Sequence, residues 1–153
     1  MISVRQAQTG EAQILTALCV RSKAHWGYDD AFMRLSEASL TVSDADVASD
    51  RVLVATDNDC VAGVARVEPD GELGVMFVDP PAMGRGAGRA LFAAAAALAR
   101  RLGARSMPIL ADPNAAPFYE RMGARFVSHA PSDAIPGRTL PLYEYDLTHE
   151  ETP

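Results

Sequence analysis

The chain opens on an alternating stretch, Ser3-Val4-Arg5-Gln6-Ala7, the period-two pattern of a short edge strand, and then changes period. Behind Thr9-Gly10-Glu11, apolar residues at Ile14, Leu15, Leu18 and Cys19 fall three and four apart, which predicts a helix ending near Trp26-Gly27-Tyr28. A second helix is predicted behind Asp29 or Asp30, carrying Phe32, Met33 and Leu35. Arg51–Thr56 and Cys60–Glu68 are β-branched runs separated by Asp57-Asn58-Asp59. Pro69-Asp70-Gly71 separates the second run from Glu72–Val78, so three consecutive antiparallel strands are expected. Asp79-Pro80-Pro81 ends the third, because proline has no N–H to give to a ladder.

A strong helix former runs from Gly88 to a stop at Gly103, with Leu91, Ala95, Leu98 and Leu102 on one face and mostly small residues on the other. Ser106–Ala111 reads as a strand, and Asp112-Pro113-Asn114 begins a helix whose Ala115, Phe118, Tyr119 and Met122 share a face. Two last strands, near Ala124–Ser128 and Leu140–Leu147, flank a Pro/Gly/Ser loop. No repeat or linker interrupts residues 1–148, so one domain is expected there, with 149–153 as a tail.

Composition narrows the function classes. The 153 residues are 48% hydrophobic and 22% charged, enough to build a core without disulfides or a structural metal. Fourteen Lys+Arg against 20 Asp+Glu give a net charge of −6, which disfavours nonspecific binding to nucleic acid or to an anionic membrane. Any anionic ligand must therefore be held by a local site. Cys19 and Cys60 belong to no Cys/His cluster, so neither a metal nor a disulfide framework is expected. The most apolar stretch, Ala90–Ala99, is far too short to span a bilayer and no secretory leader is evident, which predicts a cytoplasmic protein.

The segment that carries chemistry is Val78-Asp79-Pro80-Pro81-Ala82-Met83-Gly84-Arg85-Gly86-Ala87-Gly88-Arg89-Ala90-Leu91, a strand end, a glycine turn and a helix start. The first turn of a helix leaves N–H groups unpaired and carries the positive end of the dipole, so it can bind phosphates without a basic patch. Glycines at 84, 86 and 88 remove Cβ atoms that would hold phosphate oxygens away, and Arg85 and Arg89 add charge at the rim. By itself, the run fits an ordinary glycine-lined turn equally well. Two nucleotide readings fail. Arg89 stands where a dinucleotide fingerprint needs its third glycine, and the Gly-Lys-Ser/Thr of a P-loop is absent.

The segment resembles the acyl-CoA-binding motif of the GCN5-related N-acetyltransferases, Gln/Arg-x-x-Gly-x-Gly/Ala. Gly86 and Gly88 fill the glycine positions, and Met83 replaces the usual Arg or Gln. A second stretch, Ala115-Ala116-Pro117-Phe118-Tyr119-Glu120-Arg121-Met122-Gly123-Ala124, resembles the family's Ala-x-x-Phe-Tyr-x-x-x-Gly-Phe/Ala segment. The element order follows the family from Ile2 to Leu147. The resemblance implies an α/β fold with a mixed, mostly antiparallel central sheet of about seven strands and helices on both faces. It also implies acetyl-CoA as co-substrate, no metal, and acetyl transfer to a primary amine by direct attack in a ternary complex.

On the same resemblance, Met83, Gly84, Arg85, Gly86, Ala87, Gly88 and Arg89 bind the pyrophosphate. The main chain of Phe77 and Val78 lies along the thioester arm, where a bulge in the family splays this strand from its neighbour. Tyr119 protonates the leaving thiolate, although its neighbours also suit a core aromatic. Asn114 would bond the pantetheine, but the family's asparagine falls where this chain has Asp112. Glu72 matches a general base of some relatives, and it reads equally well as a solvated carboxylate beside a turn. Period two would put positions 72, 74, 76 and 78 on one face.

Ser22-Lys23-Ala24-His25-Trp26-Gly27-Tyr28-Asp29 resembles a stretch of one bacterial branch that walls the acceptor pocket. It offers Trp26 and Tyr28 to an amine and His25 as an alternative base, with a packed helix corner as the plain reading. Arg138, in a Gly-Arg-x-Leu-Pro segment of the same branch, suits a substrate carboxylate or a structural ion pair. The C-terminal strands could supply a homodimer edge. The partner expected is a small-molecule amine. A non-catalytic acyl-CoA sensor and an acetyltransferase of protein amines are the alternatives.

Overall fold

A computed structural model describes residues 1–148; the expected tail, 149–153, lies outside the described residues. Strand β1 (Ile2–Gln6) leads into helix α1 (Ala12–Ala24), α2 (Asp30–Leu40) and the short α3 (Asp44–Ala48). Strands β2 (Val52–Asp57), β3 (Cys60–Val67) and β4 (Leu73–Val78) follow, then helix α4 (Ala87–Arg101), strand β5 (Ser106–Leu110), helix α5 (Ala116–Arg121) and strands β6 (Arg125–Pro131) and β7 (Thr139–Asp146). Asp29 caps α2 by accepting from the Phe32 N–H at 2.8 Å. Helix α3 was not anticipated from the apolar pattern, because five residues hold too little periodicity; its signature is the capping box of Ser43 with Asp46.

The expected single sheet is divided. Strands β1-β2-β3-β4 form one antiparallel sheet, and β5-β7-β6 form a second. At the β2–β3 turn Asn58 and Asp59 are both left-handed, at φ 50° and 70°, the conformation a tight hairpin needs. Between β4 and β5 there is no ladder, although the two strands lie side by side with α4 as their connection.

Helices cover both faces. Leu15, Leu18 and Cys19 of α1 pack with Val54, Val64 and Val75 on one side, and burial pushes the Cys19 thiol up to about 12. On the other side, Leu91, Phe92 and Ala95 of α4 pack with Leu53, Ala65 and Met107. Helix α4 approaches β3 so closely that a Cβ on Gly63 would stand 2.8 Å from Leu91 Cδ1. Three of the apolar helix positions, Ile14, Leu35 and Leu102, are exposed: Leu102 falls at the α4 C-cap, and Ile14 and Leu35 face outward. Among the described residues no helix is long and apolar enough to cross a membrane.

A bulge falls in β4, where Arg66 and Val67 of β3 oppose Val75 and Leu73, leaving Gly74 as the extra residue. It breaks the expected alternation. Leu73 joins the α4-side core together with Met76 and Val78, whereas Val75 and Phe77 pack on the α1 side. Position 72 therefore does not share a face with 76 and 78 by simple period two. A Cβ on Gly74 would come within 2.1 Å of Glu68 Oε1, so any larger residue there would displace the Glu68 side chain from Arg66.

Candidate active site

The glycine turn supplies the first part of the site. Met83 donates its N–H to Pro80 O and Ala90 to Gly86 O, but the N–H groups of residues 84–89 have no acceptor among the described residues. Six successive amides are thus free at the start of a fifteen-residue helix, the arrangement that attracts an anion. Gly84 and Gly86 have φ of 81° and 96°, and a Cβ on either would meet nothing within 4 Å. Backbone handedness, more than clearance, is what these two glycines provide. Gly88 differs, since its Cβ would stand 3.2 Å from the Phe118 ring, so glycine there lets α5 pack against α4.

The unpaired edge of β4 continues from that turn. The Asp79 N–H bonds to Ala62 O at 2.8 Å, and antiparallel alternation then turns the Phe77 amide toward β3 and those of Met76 and Val78 toward the gap beside β5. Of the pair expected to offer main-chain donors, Val78 faces the gap. Phe77 contributes its side chain to the cavity wall, and Met76 takes its place as donor.

A cavity of about 690 Å³ runs along this edge and is lined by the turn, β4, the end of β5, α5, the α1–α2 corner and the loop before β7. Met83, Gly84, Gly86, Ala87, Gly88 and Arg89 line it on the turn side. Arg85 does not: its guanidinium reaches Asp57 Oδ2 at 3.3 Å on the outer surface. His25 is exposed at the α1 C-cap with its ring edge on Trp26, and it lies outside the cavity wall; Trp26 lines it.

Tyr119 is 6% exposed, with its ring against Phe92 and Phe118, and it lines the cavity. Its hydroxyl has no hydrogen-bond partner among the described residues, and burial, helped by the Asp112 charge, raises its pKa so that it stays protonated. Glu72 lines the cavity too. Burial, then the charges of Asp70, Glu68 and Asp133, raise its pKa, while Arg66 opposes them.

Sequence reasoning missed the hub of the polar cluster beside the α1–α2 corner. Asp112 Oδ2 accepts from Lys23 Nζ at 2.5 Å and from the Tyr28 hydroxyl at 2.8 Å; Oδ1 accepts from the Asn114 N–H at 2.8 Å and its Nδ2 at 3.0 Å. Burial would raise this carboxyl, but those donors and the Lys23 charge hold it below its usual value. Asn114 also donates to the Tyr28 hydroxyl at 3.2 Å, as does Arg138 Nη2 at 3.0 Å. Tyr28 therefore stands behind the wall and orders its neighbours instead of facing the cavity, which Arg138 and Asn114 line. The departure at Asp112 from the family asparagine was the available signal.

Free amides running into an unpaired strand edge, on an α/β frame, suit an extended ligand with an anionic end. A family model described as acetyltransferase (GNAT) domain matches residues 32–133, and the chain belongs to that family, whose members depend on acetyl-CoA. Similar solved structures include a GCN5-related N-acetyltransferase from Rhodopseudomonas palustris, at 23% identity over 94% of both chains with a TM-score of 0.77. The PaiA N-acetyltransferase of Thermoplasma acidophilum, solved with coenzyme A, is 12% identical over 95% of this chain and 99% of its own, TM-score 0.76. The yncA protein of Salmonella typhimurium, solved with its cofactor acetyl-CoA, is 22% identical over 100% of this chain and 98% of its own, TM-score 0.69. At these identities the likeness establishes the fold. No curated protein matches the sequence.

Proposed function

We propose that the protein transfers the acetyl group of acetyl-CoA to the primary amine of a small molecule, by direct attack with both substrates bound. The observation that carries this reading is the continuity of the turn's free amides, the free β4 edge and the Tyr119 hydroxyl along one cavity. These groups fit the co-substrate in order: amides for the pyrophosphate, an unpaired strand for the amide-containing arm, and a protonated phenol near the thioester end.

Acetyl-CoA supplies an activated acyl carbon and a thiolate leaving group. The amides of residues 84–89, with Arg89 at the rim, hold the diphosphate. Met76 and Val78 donate to the pantetheine arm and to the carbonyl oxygen as negative charge develops on it. Glu72, whose raised pKa suits a base, takes the proton of the attacking amine, directly or through water. As the new N–C bond forms and the C–S bond breaks, Tyr119 gives its proton to sulfur. Two substrates held together can supply much of the acceleration, so no covalent enzyme intermediate is needed. A walled acceptor end built from a helix corner and a self-closed loop favours a small molecule over a peptide.

The test combines calorimetry of coenzyme A and acetyl-CoA with thiol release across free amines and short peptides. Micromolar binding with release driven by small amines is expected. Absence of binding, or release with peptides only, overturns the reading.

A further inference from the structure

At the acceptor end of the cavity two cations, Lys23 and Arg138, meet one carboxylate, Asp112, and the hydrogen bonds decide which cation is satisfied. Both Asp112 oxygens are occupied, by Lys23 and Tyr28 on one and Asn114 on the other. Arg138 stands 4.0 Å from Asp112, outside hydrogen-bond reach, and donates only through Nη2 to the neutral Tyr28 hydroxyl. Its Nε and Nη1 have no acceptor among the described residues, although its side chain is only 21% exposed and lines the cavity. A guanidinium so placed has lost much of its hydration while sharing the Asp112 charge, 4.0 Å away, with Lys23 and hydrogen-bonding to no anion.

Its direction is also fixed. The Arg138 Cζ sits 4.9 Å from the Phe32 ring centroid and 5.3 Å from that of Tyr28, which stack on each other at 3.9 Å. The loop beneath is closed by its own bonds, Ser132 N–H to Arg138 O at 2.8 Å and Arg138 N–H to Ile135 O at 3.2 Å. Plane and position are therefore set before any ligand arrives, and the missing partner is a planar anion.

Building on the acetyltransfer reading, we propose that the acceptor is an amine bearing a carboxylate, an amino acid or a short amino-carboxylate, whose carboxylate pairs with Arg138. The charge balance selects carboxylate over phosphate. The Lys23–Arg138–Asp112 cluster by itself carries one positive charge in surplus, and Glu72 and Asp133 elsewhere in the cavity wall repel a dianion while favouring the ammonium end.

Matched acceptors test this at saturating acetyl-CoA, with free amino acids against their carboxamides and amino-carboxylates against alkylamines and aminoalkyl phosphates, read by thiol release. The wild type is expected to prefer the carboxylate by about 30-fold in kcat/KM, the size of a lost charged hydrogen bond. Arg138→Gln should collapse that preference to within about threefold, through KM. Arg138→Lys, which keeps charge but not the fork, should restore part of it. Equal rates for carboxylate and carboxamide, or a preference for the phosphate, in wild type that binds acetyl-CoA and acetylates amines overturn the proposal alone. Failure to bind acetyl-CoA overturns the acetyltransfer reading with it.

Discussion

Tyr119 belongs to a core and to a cavity at once, and the two roles separate by atom. Its ring packs against Phe92 and Phe118, so replacement by phenylalanine keeps the packing and deletes only an oxygen that bonds nothing among the described residues. Tyr119→Phe is therefore expected to leave stability and coenzyme A affinity nearly unchanged while lowering thiol release by roughly 10²- to 10⁴-fold, the range of general acid catalysis. An equal loss of affinity would make Tyr119 a binding residue instead. For Glu72 the pH dependence has a definite sign. A base works ionised, and this carboxyl's pKa lies above its ordinary 4.5, so kcat/KM should rise with pH through a limb displaced upward from that value. Glu72→Gln should abolish the limb and leave a low, flat profile; a limb that persists assigns the proton to another group.

In the turn between β4 and α4, conformation governs what the amides can do. Gly86 caps α4 in the left-handed region, where a Cβ costs about 1–2 kcal/mol even though it would touch nothing. Gly86→Ala should lower the urea midpoint accordingly and weaken coenzyme A binding as the amides leave their common direction, both read on the same preparation. The elements themselves were legible because their signals are local: turn residues at 57–59 and 69–71, and Gly103 behind α4, all fall where strands or helix end. Less of the site was legible. Which β4 amides are free depends on pairing register and on the Gly74 bulge, and neither has a period in the sequence. The Lys23–Asp112–Tyr28 cluster joins residues 84 and 89 positions apart, which no spacing rule could connect. Arg85 and His25 looked chemically apt, but adjacency in the chain says nothing of which side of a turn a side chain leaves from.

Across the molecule, carboxylates join separate elements. Glu11 holds Arg5 of β1 through a two-pronged pair at 2.8 and 2.9 Å, Asp46 of α3 meets Arg66 of β3, and Asp112 after β5 meets Lys23 of α1. The Arg5 hydrogen bond lowers the Glu11 pKa; at Asp46 and Asp112 burial acts upward, but their donors and cationic partners prevail. A carboxyl with a depressed folded pKa contributes stability above its unfolded pKa and loses it as pH falls toward the folded one. With ordinary values of 4.5 for Glu11 and 3.8 for Asp46 and Asp112, urea stability should be level above about pH 5 and decline below it. Asp112→Asn tests the least exposed of the three. It leaves Lys23 without its anion, so stability at neutral pH should drop by about 2 kcal/mol, less than for a fully dry pair because the cavity admits water. The same variant should also lose part of the acid slope, since the proton that protonates Asp112 in the wild type has no site there. Were the slope unchanged, acid unfolding would have to originate in the other pairs, and Asp112 would be a device for orienting Tyr28 and Arg138 with little bearing on stability.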